Sequence, residues 1–300
     1  MNSDLLTFSQ FKLERILNLS EEHKGAVCLA SASSGQKALI FISKAAFKEE
    51  TIQQLFQEGE IVKLHEVLQH NDKFFNFLAQ CAPEFNPLFI KFIFPATQAD
   101  IQKYTPVASI VIRETPDIYT NFTYPFIKSR STEELIWLWN ILDGNAEQDR
   151  ILDRESDGQN GFVIIPDIKW DEQNMDGLYV LGIVERRDLQ TLRDLCAEDI
   201  PLLQNMMERG LSAIEKHYSV SRSHILCYIH YIPSFMQLHI HLVGTGRRDF
   251  LAPRSILVDD IIENLKRDSS FYKDRAIMNL VLPENHMIVT QLDQKQHEKI

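Results

Sequence analysis

Apolar and polar positions alternate most cleanly late in the chain. Gln237, His239, His241 and Val243 fall on one side, and Leu238, Ile240 and Leu242 on the other. A period of two marks a half-buried β-strand, so the aliphatic side goes to a core and two imidazoles share the open face. Residues 224–231 alternate as well, with His224, Leu226, Tyr228 and His230 on one side. Pro233-Ser234 turns the chain between these runs, which predicts antiparallel neighbours. β-Branched or fully apolar runs predict further strands at 107–112, 161–166, 178–184 and 275–283. Helical spacing covers 192–218, where Leu203, Met207, Leu211 and Ile214 form a core stripe, and also 256–267. Ser131-Thr132-Glu133-Glu134 reads as a capping box, with Ser131 as N-cap and Glu134 at N3, opening the helix LIWLWNIL. Earlier in the chain, 8–19, 44–57 and 67–81 read as helical, and 26–32, 37–43 and 87–94 as strands. Turn signals stand at Ser33-Ser34-Gly35 and Glu58-Gly59-Glu60. The tail from 291 to 300 is polar and reads as frayed. The fold class is α+β.

Composition narrows the picture. Three hundred residues suffice for one large domain or two moderate ones. A net charge of −11 opposes long polyanions, so a nucleic-acid substrate should be short and met in a locally basic pocket. No apolar run approaches the ~20 residues of a membrane span, and the first residues lack a signal-peptide pattern. Cys28, Cys81, Cys196 and Cys227 are scattered without CxxC spacing and read as reduced thiols of an intracellular protein. His65, His70, His286 and His297 read as bland, the first two on helical or loop positions.

The paired histidines carry the chemistry. At strand rise their Cα atoms lie ~6.5–7 Å apart. Pro233-Ser234 and Gly244-Thr245-Gly246 offer backbone N–H groups near the two strand ends, which suits a negatively charged group. One reading is a pair of structural histidines. A second is a metal site, which needs a third ligand where the chain instead supplies Arg247 and Arg248 before Asp249. A third is a neutral imidazole attacking phosphorus, its other nitrogen held by a hydrogen bond.

The segment Gln237-Leu238-His239-Ile240-His241-Leu242-Val243 resembles the histidine-triad signature His-φ-His-φ-His-φ-φ, with Gln237 in the first place. The preceding His230-Tyr231-Ile232-Pro233-Ser234 makes it similar to the scavenger mRNA decapping branch of that superfamily. The likeness runs from about Gln102 to Pro253-Arg254 and is looser over the first hundred residues.

The resemblance implies a catalytic domain with a histidine-triad antiparallel sheet at 117–300, a hinge at 106–116 and an N-terminal, domain-swapped α+β dimerisation domain at 1–105. It implies that Trp137 stacks on 7-methylguanine while Glu147 accepts from its N1–H and 2-amino group. That pairing makes chemical sense: a methylated, cationic base over an indole gains ~0.5–2 kcal/mol, and a carboxylate accepts two donors at once. In the Pro166-Asp167-Ile168-Lys169-Trp170 element, Ile168 would cover the opposite base face. Asp167 would bind a ribose hydroxyl, and Lys169 ribose or phosphate; Trp170 reads as core support. Phosphate contacts would come from Lys103, His230, Ser234, Gln237 and Arg254, with Arg247 and Arg248 as second choices. His239 would be the nucleophile and His241 its orienting and polarising neighbour, with no metal or other cofactor.

The implied reaction is hydrolysis of the triphosphate bridge of short capped mRNA fragments, in a homodimer of cytoplasm and nucleus, with no membrane and no long nucleic acid as partner. The alternatives are a related hydrolase of dinucleoside polyphosphates or phosphoramidates, and a cap-binding module without turnover.

Overall fold

The computed structural model describes residues 6–21, 24–45, 47–56, 62–71, 74–83, 86–247 and 254–297. The chain divides into two compact units, Met1–Val107 and Ala108–Ile300.

In the N-terminal unit, β1 (Phe11–Ser20), β2 (Gly25–Ala32) and β3 (Lys37–Lys44) form an antiparallel meander. Helix α1 (Glu49–Leu55) and a separate hairpin, β4 (Val62–Asn71) with β5 (Phe74–Cys81), follow. Strand β6 (Leu88–Ile93) then joins β3, giving the order β1-β2-β3-β6, and α2 (Gln98–Tyr104) closes the unit. Thr97 caps α2, its hydroxyl accepting from the Asp100 N–H. The core is thin on both sides of the sheet. Leu29, Leu39 and Ile101 gather on one side; Cys28, Ala30, Ala38 and Ile40 on the other.

The C-terminal unit opens with β7 (Ser109–Glu114). Helices α3 (Pro116–Ile118), α4 (Tyr124–Ser129) and α5 (Ile136–Leu142) follow. Strands β8 (Asp153–Glu155), β9 (Phe162–Pro166) and β10 (Tyr179–Val184) lead to the long helix α6 (Ile200–Tyr218). Then come β11 (Ile225–His230), β12 (His239–Gly244), β13 (Ser255–Leu257), α7 (Val258–Arg267), β14 (Met278–Pro283) and α8 (Met287–His297). The main sheet is antiparallel in the order β13-β11-β12-β10-β9-β8, and β14 pairs with β7. Every residue of β9, β10 and β12 is buried. One side of the sheet lies against α6, where Gly210 is needed for contact: a Cβ there would sit 2.6 Å from Leu242 Cδ2. At the other end of the unit, fully buried Arg193 pairs with fully buried Glu114 at 2.5 Å, and the Tyr231 hydroxyl donates to Glu114 at 2.9 Å. Buried charges of this kind must be paired; the pair ties β7 to the 3-10 turn Leu192–Asp194, and the Tyr231 hydroxyl ties it to the loop leaving β11.

The β11–β12 neighbours are as expected, with Tyr228 opposite His241, and strands form at the other apolar runs. Several expectations are overturned. Residues 8–19 are a short 3-10 turn followed by β1, not a helix. Residues 67–71 belong to β4 and 74–81 to β5, not to a helix, which puts His65 and His70 on a strand. Among the described residues of 44–57, only Glu49–Leu55 are α-helical. Ser131 does cap, accepting from the Glu133 N–H, but the turn it opens is 3-10 and the Glu134 carboxylate pairs with Arg130 instead of closing a box. On α6 the buried set is Leu202, Leu203, Met206, Gly210, Ala213 and Ile214, so Met207 and Leu211 lie at the margin of the stripe. The polar tail is helical as α8 through His297. Of segment 106–116, residues Ser109–Glu114 form β7. The Glu58-Gly59-Glu60 turn lies outside the described residues. Among those residues no helix is long and apolar enough to cross a membrane.

Candidate active site

A pocket of about 480 Å³ opens over the sheet face that carries the histidines. At one end Trp137, on α5, is 49% exposed, and Ile168, just past β9, is 83% exposed. Two apolar groups left so open beside a cavity suit a flat ligand between them. Glu147 and Asp167 line the same end, with Lys169 beside them. Strand β9 ends at Pro166, and the Asp167 carboxylate folds back to accept the Lys169 N–H at 2.8 Å. Trp170 is buried, its indole donating to the Asn174 carbonyl at 2.9 Å, as core support requires.

The other end holds His230, Ser234, His239, His241 and Arg254. His230 is the last residue of β11, and its ring centroid lies 4.2 Å from that of His241; His239 and His241 are 4.8 Å apart. The His239 Nδ1 lies 2.7 Å from the Gln237 carbonyl. A carbonyl can only accept, so Nδ1 carries the proton and Nε2 keeps its lone pair. Burial drives the His239 pKa down to about 4. The same cause, with His239, His230 and the Arg254 and Lys169 charges adding to it, depresses His241 further. Both imidazoles are therefore neutral at pH 7, one of them with a fixed tautomer.

These histidines are not on an open face. Each is only 4% exposed, because the pocket is walled over them. Three wall residues have no place in the sequence expectations. Phe235 lies flat on His239 (ring centroids 4.1 Å, interplanar angle 16°) and meets the edge of Trp137 at 5.5 Å. Its signal was an aromatic residue directly after Pro233-Ser234. The Tyr179 hydroxyl is 2.8 Å from His241 Nδ1. Because β10 is apolar throughout, the side on which Tyr179 stands could not be read from alternation. Arg150, three residues after Glu147, holds that carboxylate at 2.6 Å.

Gln237 is a correction. Its side chain is fully buried and does not line the pocket; the amide donates to the Val184 carbonyl at 2.6 Å and the Arg186 carbonyl at 2.8 Å. It precedes β12, where the chain leaves the strict alternation, so its side chain is drawn to the end of β10. Its contribution at the pocket is its carbonyl on His239. Lys103 sits in the last turn of α2 in the N-terminal unit, its amino group 5.5 Å from the Tyr104 ring. Arg247 lies over the Tyr179 ring at 4.7 Å and donates to the Gly177 carbonyl; Arg248 is outside the described residues. Among those residues no group of three or more His, Cys, Asp or Glu side chains is arranged to hold a metal ion.

Two family models match the chain: "Scavenger mRNA decapping enzyme (DcpS) N-terminal" over residues 6–106 and "Scavenger mRNA decapping enzyme C-term binding" over residues 136–249. The m7GpppX diphosphatase of Homo sapiens is 36% identical over 283 residues, covering 91% of this chain and 82% of that protein. That of Ascaris suum is 33% identical over 91% of this chain and 90% of its own length. That of Schizosaccharomyces pombe is 33% identical over 94% of both. The likeness spans both units, including the N-terminal one where the sequence pattern was least informative, and the chain belongs to the scavenger mRNA decapping enzyme family.

Proposed function

We propose that this chain hydrolyses the triphosphate bridge of short capped mRNA remnants, as the name m7GpppX diphosphatase describes for its relatives. The observation that carries the reading is His239: a buried, neutral imidazole whose Nδ1 is committed to a carbonyl and whose Nε2 is left for the pocket. Nε2 attacks the phosphorus nearest methylguanosine. A P–N bond forms, the bond to the bridging oxygen breaks, and a nucleoside or oligonucleotide diphosphate departs. Water then attacks the phosphohistidine; the P–N bond breaks and 7-methylguanosine monophosphate leaves. Trp137 and Ile168 sandwich the base, Glu147 accepts from its edge, and Asp167 takes a ribose hydroxyl. Lys169, Arg254, Ser234 and His230 meet the phosphate oxygens, and His241 orients the reacting group. Phosphoryl transfer is mostly positioning and charge stabilisation, which these cationic and hydrogen-bonding groups provide. A phosphate role for Lys103, a domain-swapped homodimer hinged within 106–116, and residence in cytoplasm and nucleus rest on the family resemblance.

The test is incubation of the protein with 7-methylguanosine cap dinucleotide in chelator, with identification of products. Release of 7-methylguanosine monophosphate and a nucleoside diphosphate is expected. Cleavage of unmethylated dinucleoside triphosphate at an equal rate would favour a general polyphosphate hydrolase, and binding without any turnover would leave a cap-binding module.

A further inference from the structure

The base end of the pocket contains a charged group, Arg150, that the proposed reaction does not use. The Arg150 guanidinium donates to Glu147 Oε2 at 2.6 Å and to the Pro166 carbonyl at 3.2 Å, and lies 3.5 Å from Glu172 Oε1. The other Glu172 oxygen accepts the Tyr218 hydroxyl at 2.7 Å. The Tyr218 ring packs edge-on against buried Trp170, centroids 4.8 Å apart. This chain of contacts runs from the pocket wall to the end of α6. Both carboxylates that grip Arg150 stand on left-handed backbone, φ 52° at Glu147 and 59° at Glu172. Non-glycine residues adopt that conformation at a cost and only where surroundings enforce it.

We propose that Arg150 determines base specificity by positioning: it holds the Glu147 carboxylate in one orientation for two-point contact with the N1–H and 2-amino edge of a guanine. The inference rests on the reading of Glu147 as the base acceptor. A carboxylate offers about four lone-pair sites. Arg150 occupies one of them, so two purine donors can still be met. Without the guanidinium, Glu147 would be anchored only through its backbone, with a side chain 37% exposed and free to turn. Glu172 has a separate effect. A lone Arg150–Glu147 pair is neutral, whereas the trio carries one net negative charge. That charge faces a base made cationic by N7-methylation, and attraction between unlike charges across a few ångströms favours the methylated form.

Two ratios of kcat/KM on the full chain test this. One compares 7-methylguanosine cap dinucleotide with its 7-methylinosine counterpart, which lacks the 2-amino group. The other compares methylated with unmethylated guanosine dinucleotide. Arg150→Met is expected to lower the first ratio about tenfold, the loss appearing in KM more than in kcat, since one aligned charged hydrogen bond is forfeited. Glu172→Gln is expected to lower the second ratio about threefold and to spare the first. A wild-type first ratio in an Arg150→Met protein that melts like wild type overturns the inference. Should Arg150→Met not fold, Arg150→Lys is read instead: an intermediate ratio supports the inference and an unchanged one overturns it. Glu147→Ala separates the two levels. If it leaves both ratios intact, the reading of Glu147 itself fails; if it abolishes the first ratio while Arg150→Met does not, only the role of Arg150 is lost.

Discussion

Strand β1 of the N-terminal sheet and strand β12 of the C-terminal sheet are both rich in aliphatic residues, yet they end in opposite environments. No residue of β1 is buried, and Leu13, Ile16 and Leu19 face outward. All six residues of β12 are buried, including two imidazoles. The difference is coverage. Helix α6 lies behind β12 and the pocket wall lies in front, so even the polar side of that strand is withdrawn from water. A histidine in such a place is neutral because of packing, and its chemistry follows from the same contacts that stabilise the sheet.

The contrast can be broken most forcefully at the nucleophile. His239→Ala should lower kcat by about a thousandfold or more, ~4 kcal/mol of barrier, while affinity for 7-methylguanosine monophosphate stays within about threefold because base pocket and nucleophile are separate. Rapid turnover by this variant, followed by chromatography of the cap dinucleotide, would move the chemistry elsewhere. Next, matched truncations compare the sheets directly. Ile240→Ala, at a fully buried site, should cost about 2–5 kcal/mol; Leu13→Ala, 56% exposed in β1, should cost less than ~1 kcal/mol. Equal losses in denaturant unfolding of the two variants would mean that β1 is covered in solution.

A smaller effect is expected at Gln237. Gln237→Ala leaves the Val184 and Arg186 carbonyls without their donor, costing about 1–3 kcal/mol of stability. If instead kcat collapsed while the melting temperature held, the side chain would have a direct part in the reaction.

The smallest effect is on pH. With a folded pKa of about 4, His239 should keep kcat/KM high until the pH falls toward that value, instead of failing near the ordinary ~6.5. The sign for stability is the same: the unfolded chain takes up this proton first, so stability is lost as pH falls from about 6.5 to 4. Phe235→Ala opens the ring face to water and should move the acid limb of the pH–rate profile upward by about one unit. An acid limb already near pH 6.5 in the unaltered protein would show that burial does not govern His239.

What the sequence made legible follows from how regular each strand is. Strands β9 and β10 read well because their apolar runs are short, β-branched and bounded by turns, and β11 and β12 because they alternate with a period of two. β1 was mistaken for a helix because register shifts between Leu13 and Arg15 and between Ile16 and Asn18 break its alternation. An added residue at each bulge turns a period of two into spacings of three and four, and Leu13, Ile16 and Leu17 then mimic a helix face. β4 carries two such shifts as well, and in β5 Phe74, Phe77, Leu78 and Cys81 fall at helical spacing. At the pocket, Trp137, Glu147, Asp167, Ile168, Lys169, His230, Ser234, His239, His241 and Arg254 all line one cavity. Of their partners, Tyr179 acts on His241 across space and leaves no spacing in the chain, whereas Arg150 stands three residues after Glu147 and Phe235 directly after Pro233-Ser234, local placements that solvated and core residues share equally.

The hydrogen bond from His239 to the carbonyl of Gln237 is made by an atom that every amino acid carries. Any residue able to sit between the ends of β10 and β12 can therefore present that carbonyl, and the letter at this place is free to drift while the chemistry stays. A signature spelled in side chains treats the position as an exception, although the atom that meets His239 there belongs to the backbone. In a library of all substitutions at 237, function should track whether the strand ends stay tied together, and the imidazole expected from the triad spelling should hold no special rank.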